Sequence, residues 1–337
     1  MAWALGLSQP RRWRFFGCVG PEERSVGALI ALQKMGILGD VEILRVEDTV
    51  PENKEAENAA IEHNRTRCQA AGLSLDLVNV ALDAPLMNAT WKQRLSFSKK
   101  TSLCLDISSM PKRFFFSVVK TALNSPDVEN FIVLYSKPVS YPDGGLSGNP
   151  EQWAAMSGFK CDDPDLEKEA TAHLIVGAGF AVGGLGGHLE GRNNNGILVD
   201  VLIPFPAEPW SSVHRSWTFA RELGECLEVN PTKENNEVQL AYHRVGALDT
   251  CSAFEILLRR TCEGRSPVAL APLGPKPISL AMCLLASQKD GFPVYYAQPK
   301  TYAVEYSRGY KITYAYWIKH NGENLYKIPE TSDGLIM

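Results

Sequence analysis

Within eight residues, Asp106-Ile-Ser108-Ser109-Met-Pro111-Lys112-Arg113, this chain places two hydroxyls and two cations after one carboxylate. At a helix start, Ser108 and Ser109 can donate hydrogen bonds to a phosphate while Lys112 and Arg113 supply counter-charge. The alternative is structural: a serine that caps the helix and a lysine that faces water. A second stretch echoes the first, Pro272-Leu-Gly274-Pro275-Lys276. It lacks the hydroxyls but keeps the Pro-Lys pair. Its Gly274 permits close backbone approach.

Other candidates follow the same logic. Glu23 and Arg24 come just after an apolar run ending in Gly20. Tyr141 and Tyr302 each close a Tyr-x-x-Pro-x-x-Tyr run, beginning at Tyr135 and Tyr296. Their rings can stack on a base or pack against protein. Asp83 and Asp249 end related stretches, Val80-Ala-Leu-Asp83 and Val245-Gly-Ala-Leu-Asp249. With Asp106 they are acid/base candidates; a helix cap is the competing role. Gly177, Gly179 and Gly183 superficially match a dinucleotide fingerprint, which would suit an NAD(P)-dependent oxidoreductase. The spacing is G-x-G-x-x-x-G, however, and no acid ends the next strand. A tight turn with close helix packing accounts for them equally well.

Several chemistries lack their signatures. No HExxH, G-x-S-x-G or Walker A sequence occurs, and neither the eight cysteines nor the six histidines adopt zinc-ligand spacing. The residues therefore imply no metal and no cofactor. The cysteines read as reduced thiols of a cytoplasmic protein. A net charge of −4 makes a general polyanion-binding surface, and so a long nucleic acid, a poor fit; any anion site must be local. No run of 18 apolar residues is present to span a membrane.

The elements that must position these residues alternate. Strands are predicted at Trp13 to Gly20, Val41 to Val46, Leu75 to Leu82, Ser102 to Ile107 and Phe131 to Tyr135. Helices lie between them at Glu22 to Gly36, Pro51 to Ala71, Leu86 to Phe97 and Arg113 to Leu123. A Gly/Pro/Ser/Asn cluster over Pro142 to Pro150 then breaks the pattern. It resumes with strands at His173 to Gly177, Val199 to Ile203, Val238 to Tyr242, Pro267 to Ala271 and Val294 to Ala297. The intervening helices are Val213 to Leu223, Ala253 to Cys262 and Pro277 to Ser287.

The pattern predicts an α/β protein with two Rossmann-like parallel-sheet halves, related by internal duplication as a pseudo-twofold. The first half spans 13–145, a linker 146–172, the second half 173–309. A C-terminal β extension spans 310–337, with alternating Tyr310 to Ile318 and an Asn321-Gly322 turn. In such sheets ligands bind outside the carboxyl ends of the strands, and a duplicated molecule tends to bind at its seam.

Two fused Rossmann-like halves, with Asp106, Ser108 and Lys112 in one and Gly274 and Lys276 in the other, resemble the CRISPR-associated Rossmann fold (CARF) group. Their fusion in one chain is similar to the SAVED domain. The resemblance implies sensing of a cyclic oligonucleotide at the seam, in bacterial antiviral defence or signalling, with a possible effector protein as partner. An enzyme acting on a phosphodiester or sugar phosphate at the same seam is the alternative.

Overall fold

The protein is described from a computed structural model. It covers residues 12–47, 54–82, 94, 96–98, 100–143, 146–180, 182, 185, 197–209, 212–228 and 239–330. The fold is mixed α/β, built on two sheets.

The first sheet contains β1 (Trp13–Val19), β2 (Leu38–Glu47), β3 (Leu77–Ala81), β4 (Thr101–Asp106) and β5 (Val128–Ser140), all parallel, in the spatial order β3-β2-β1-β4-β5. The second contains β8 (His173–Gly177), β9 (Leu198–Pro204), β10 (Gln239–Val245) and β11 (Ala269–Pro272). It too is parallel, ordered β10-β9-β8-β11. Taking β8 as the counterpart of β1, the two orders coincide, and a parallel bridge between Leu270 and Val294 stands where a fifth strand would begin. In both sheets the order reverses beside the first strand, which opens a crevice at the carboxyl ends.

Five layers result. Helices α1 (Gly27–Lys34) and α2 (Lys54–Ala70) cover the outer face of the first sheet, burying Leu29, Leu32, Ile61 and Cys68. Helix α5 (Val213–Glu228) covers the outer face of the second with Phe219 and Leu223. Between the sheets lie α3 (Lys112–Asn124), α6 (Thr250–Arg260) and α7 (Lys276–Ala286), with one continuous core running through them. α3 buries Phe114, Phe115 and Phe116 completely, each contributing about 1.5–3 kcal/mol. The two sheets thus share a core, and that core frames the site. The helices beside it, α3 and α7, touch through Cys283 Sγ, 3.6 Å from the Phe116 carbonyl.

Several expectations need adjustment. The helix expected from Glu22 splits into a 3-10 turn, Glu23–Val26, followed by α1. Fully buried Asn64 of α2 donates to the Gly20 and Glu22 carbonyls (2.9 and 3.1 Å), which pins the tight turn. The strand expected to end at Tyr135 runs on to Ser140, because β14 (Arg308–His320) pairs antiparallel along its whole length. Past Leu134, β14 is the strand that flanks it among the described residues, so Pro138 sits on a stretch paired along one edge, where its missing donor is tolerated. β14 reaches its short hairpin partner β15 (Glu323–Asn324) through Asn321 and Gly322, at φ 49° and 86°. Both central residues of a tight hairpin turn need positive φ, which is why Asn-Gly signals it.

The stretch expected as a parallel strand over Val294 to Ala297 makes only the Leu270 bridge. Its Tyr295–Tyr296 (β12) instead pairs antiparallel with Ala154–Ala155 (β7). Pro299–Tyr302 (β13) pairs with Ser147–Pro150 (β6). The 146–172 stretch also carries α4 (Pro164–Ala170), capped by Asp163. Asp83, Gly183 and most of the helix expected at Leu86 to Phe97 lie outside the described residues. Among the described residues, no helix is long and apolar enough to cross a membrane.

Candidate functional site

A cavity of about 350 Å³ opens at the carboxyl ends of both sheets. Its walls are the segments following β1, β4, β8 and β11, the strands on either side of each crevice. Of the residues singled out by sequence, Arg24, Ser109, Lys112, Tyr141, Gly179, Gly274, Lys276 and Tyr302 line it.

The two lysines reach across each other. Lys112, first residue of α3, sends its ammonium to the carbonyls of Pro272, the last residue of β11, and of Gly274 just beyond it, the latter at 2.8 Å. Lys276, first residue of α7, donates to the Ser108 carbonyl beyond β4 at 2.6 Å. Each follows a proline of nearly identical backbone conformation, Pro111 at φ −55°, ψ 147° and Pro275 at φ −54°, ψ 148°. The proline ring fixes that φ and starts the helix without needing an N–H. Burial presses both ammoniums toward neutrality. Lys112 falls well below the usual lysine range, by desolvation and then by the charge of Lys276. Lys276 falls to about 7, by desolvation and then by Arg24, with Glu22, Cys18 and Asp106 opposing.

Beneath this pair lies Asp106, 2 % exposed. Its Oδ1 accepts from the Ser108 amide and hydroxyl, and the same hydroxyl accepts from the Ser136 amide at 2.8 Å. Its Oδ2 has no hydrogen-bond partner among the described residues. Burial pushes this carboxyl up to about 6, against the pull of Ser108, Lys276 and Arg24. Ser108 is thus committed to holding the turn rather than presented to the cavity. Ser109 does reach the cavity, with its hydroxyl on the Cys18 carbonyl at 2.8 Å.

The turn after β1 contributes a buried ion pair. Arg24 Nε donates to Glu22 Oε2 at 2.8 Å, and Ser307 donates to the same oxygen. Arg24 also stacks over Tyr135, 5.6 Å from the ring centre. Glu22, not the exposed Glu23, lines the cavity, as do Glu57 and Glu208. Sequence reasoning selects Glu23; the 3-10 turn exposes it to solvent instead.

Aromatic side chains form a second wall. Tyr141 meets Phe180 and Tyr306 edge-on at 5.0 and 6.1 Å, and Tyr306 meets Tyr302 at 5.9 Å. Gln298 holds the Tyr302 hydroxyl at 2.7 Å. Tyr135 and Tyr296 also line the cavity, so all four tyrosines of the two Tyr-x-x-Pro-x-x-Tyr runs converge on it. Arg215 of α5 lies over Phe180 (4.9 Å) and donates to the Pro142 carbonyl. Phe180, Tyr306 and Arg215 carry no local signal by which sequence could have selected them.

Arg113, Asp249 and Gly177 are not among the lining residues. Arg113 binds the Leu82 carbonyl at 3.0 Å and pairs with Glu151. Asp249 caps α6, accepting from the Ser252 amide and hydroxyl. Gly177 and Gly179 mark the crossing of two loops. A Cβ on Gly179 would lie 2.1 Å from the Leu273 carbonyl oxygen, and one on Gly274 would lie 2.8 Å from that of Ala178. The crossing requires these two glycines.

No protein-family model matches this chain, and no curated protein does. Solved structures do. One is described as a type III CRISPR defence DNA nuclease activated by cyclic oligoadenylate. It aligns over 84% of this chain with a TM-score of 0.50 and 9% sequence identity. The chain spans about two thirds of that nuclease's length, 65%. At such identity the likeness is one of fold. The cytoplasmic domain of a prokaryotic cation chloride cotransporter aligns over 87% of this chain and 98% of its own length, at 12% identity and a TM-score of 0.23. That superposition is too loose to argue from.

Chemically, the cavity offers two lysines whose acceptors are neutral carbonyls, an Arg24–Glu22 pair, two further carboxylates in Glu57 and Glu208, and aromatic rings alongside them. That combination suits a ligand with both phosphate and ring systems.

Proposed function

We propose that this chain binds a phosphorylated, nucleotide-like ligand in the cavity between its two sheets and acts as a sensor in a defence signalling system. One observation carries the reading. Two lysines, one from each sheet's crevice, line a single cavity and set their amino groups against backbone carbonyls rather than carboxylates. A phosphate is the natural counter-charge for such a pair. Arg24 and Ser109 would add donors, and Tyr141 and Tyr302 would contact bases.

The reading is supported by the fold likeness to a nuclease activated by cyclic oligoadenylate, and by the CARF-like and SAVED-like features of the sequence. The shared strand order and the matched Pro-Lys turns favour two duplicated halves, 13–145 and 173–309, with the ligand at their seam. On this view the chain is cytoplasmic and passes its signal to an effector.

Native mass spectrometry with linear and cyclic oligoadenylates, and with other cyclic nucleotides, tests it. A retained nucleotide mass, lost when Lys112 and Lys276 are both replaced by methionine, is the expected result. No mass shift with any nucleotide overturns it. A second reading, an enzyme cleaving a phosphodiester at the same place, draws on Asp106, which has one unpartnered oxygen and feels the charge of Lys276. Turnover of the bound nucleotide separates the enzyme from the sensor.

A further inference from the structure

We propose that Lys112 and Lys276 form a crossed clasp, which ties the β4–α3 loop to the β11–α7 loop and which an anion entering the cavity releases. The proposal rests on the same cavity as the reading above and concerns how binding there is transmitted.

The bonds are reciprocal and long-range. Lys112 and its carbonyl partners are 160 and 162 residues apart, and Lys276 and Ser108 are 168 apart. Each lysine grips the turn that launches the other lysine's helix. The clasp therefore joins the two sheets at the cavity floor, where α3 and α7 begin.

Its acceptors make it releasable. Among the described residues, neither ammonium lies within ion-pair distance of a carboxylate. A bond from ammonium to neutral carbonyl is weaker than one to a phosphate oxygen, where both partners are charged. Burying a cation without a counter-ion is costly. An ammonium has three donors. Lys112 already uses two on Pro272 and Gly274 and faces the Tyr296 ring, 5.4 Å away. To hold a phosphate through more than one N–H it must give up a carbonyl. Lys276 uses one donor, on the Ser108 carbonyl, and keeps two for the anion, so it is the Lys112 arm of the clasp that the anion unfastens.

The release has somewhere to go. Both lysines are the first residues of their helices, and the helices pack directly on one another. A change in the spacing of the two loops is felt by that helix pair, at the centre of the shared core. A packed interface responds to such a shift by re-seating rather than by gradual deformation.

Hydrogen exchange measured by mass spectrometry on the full chain tests this without a ligand. In Lys112→Met and in Lys276→Met, the amides of Ser108 to Arg113 and Leu273 to Ser279 should exchange about tenfold faster than in the wild type. Those of β1 and β14 should not change. Unchanged loops in both variants overturn the proposal, and so does acceleration spread evenly over the chain, which marks the lysines as general stabilisers. A second arm uses the wild type with millimolar inorganic pyrophosphate. Faster exchange confined to the two loops supports the clasp. Slower exchange there, or none altered, overturns it.

The two readings fail separately. If pyrophosphate opens the loops but no nucleotide binds, the nucleotide reading falls and the clasp stands. If nucleotides bind while the loops keep their protection, the clasp falls and the sensor reading stands.

Discussion

Raising the pH should weaken ligand binding while stabilising the empty protein, and Lys276 sets both signs. In the unfolded chain a lysine titrates near 10.4. In the fold Lys276 is pushed down to about 7, by burial first and then by Arg24, while Glu22, Cys18 and Asp106 pull the other way. Between about pH 7 and 10 the unfolded state therefore holds a proton that the empty folded state lacks, so stability rises with pH across that window. An anionic ligand reverses the preference, because it needs the ammonium charged. Above about 7 the protein must first take up a proton, and apparent affinity falls toward tenfold per pH unit.

From pH 7 to 9 one such proton is worth about 50-fold, or about 2.3 kcal/mol. Lys112, also depressed by burial, can only add to the slope. Asp106, at about 6, is mostly ionised by pH 7 and contributes little beyond it. Isothermal titration of cyclic oligoadenylate in two buffers of different ionisation enthalpy measures affinity and proton uptake together. Lys276→Arg should flatten the slope, since a guanidinium stays charged throughout. A wild-type affinity that is constant from pH 7 to 9, or an unchanged slope in Lys276→Arg, would refute the reasoning.

Two further outcomes follow from the geometry. Asp200, fully buried in β9, accepts from His173 and His243 at 2.6 Å each and from Arg260 at 2.7 Å. Burial alone would raise its pKa, but those three donors outweigh it and hold the carboxyl well below the usual range. Asp200→Ala should cost about 3 kcal/mol, at the low end for a broken buried pair because the partners remain partly hydrated. For a single unfolding transition of this length that lowers Tm by about 4 °C. The wild-type contribution is complete above pH ~3.9 and lost as pH falls below it, so acid melts of wild type and variant should converge; parallel curves would count against the assignment. Gly179→Ala forces a Cβ to 2.1 Å from the Leu273 carbonyl and should cost about 1–3 kcal/mol. It should also impair nucleotide binding, by pushing the loop that carries Gly274 and Lys276 away from the one that follows β8. Gly20→Ala, whose Cβ meets Ser109 at an ordinary 3.5 Å, should change the melting temperature little. Equal melting of both variants would contradict the crossing.

Local pattern in this sequence specified a good deal. The alternation of apolar strands with amphipathic helices follows from each segment's own periodicity, and so did the α/β class and most element positions. Asn321-Gly322 named its own turn because only that backbone geometry closes so short a hairpin. Helices read from Arg113 and Pro277 begin one residue earlier, at Lys112 and Lys276, each behind a proline at the cap. Even the cavity's lining was partly legible, since residues after parallel strands must lie at one edge of the sheet.

What no local pattern could specify is partnership across long stretches of chain. That Lys112 holds carbonyls some 160 residues away, that Ser108 turns inward to Asp106, and that Glu22 rather than Glu23 meets Arg24 all depend on how the two sheets pack around α3 and α7. The same holds for Arg113, which looked like a phosphate ligand but pairs with Glu151. Periodicity reports which way a side chain points; only the tertiary structure decides what it meets there, because that depends on where a distant segment crosses.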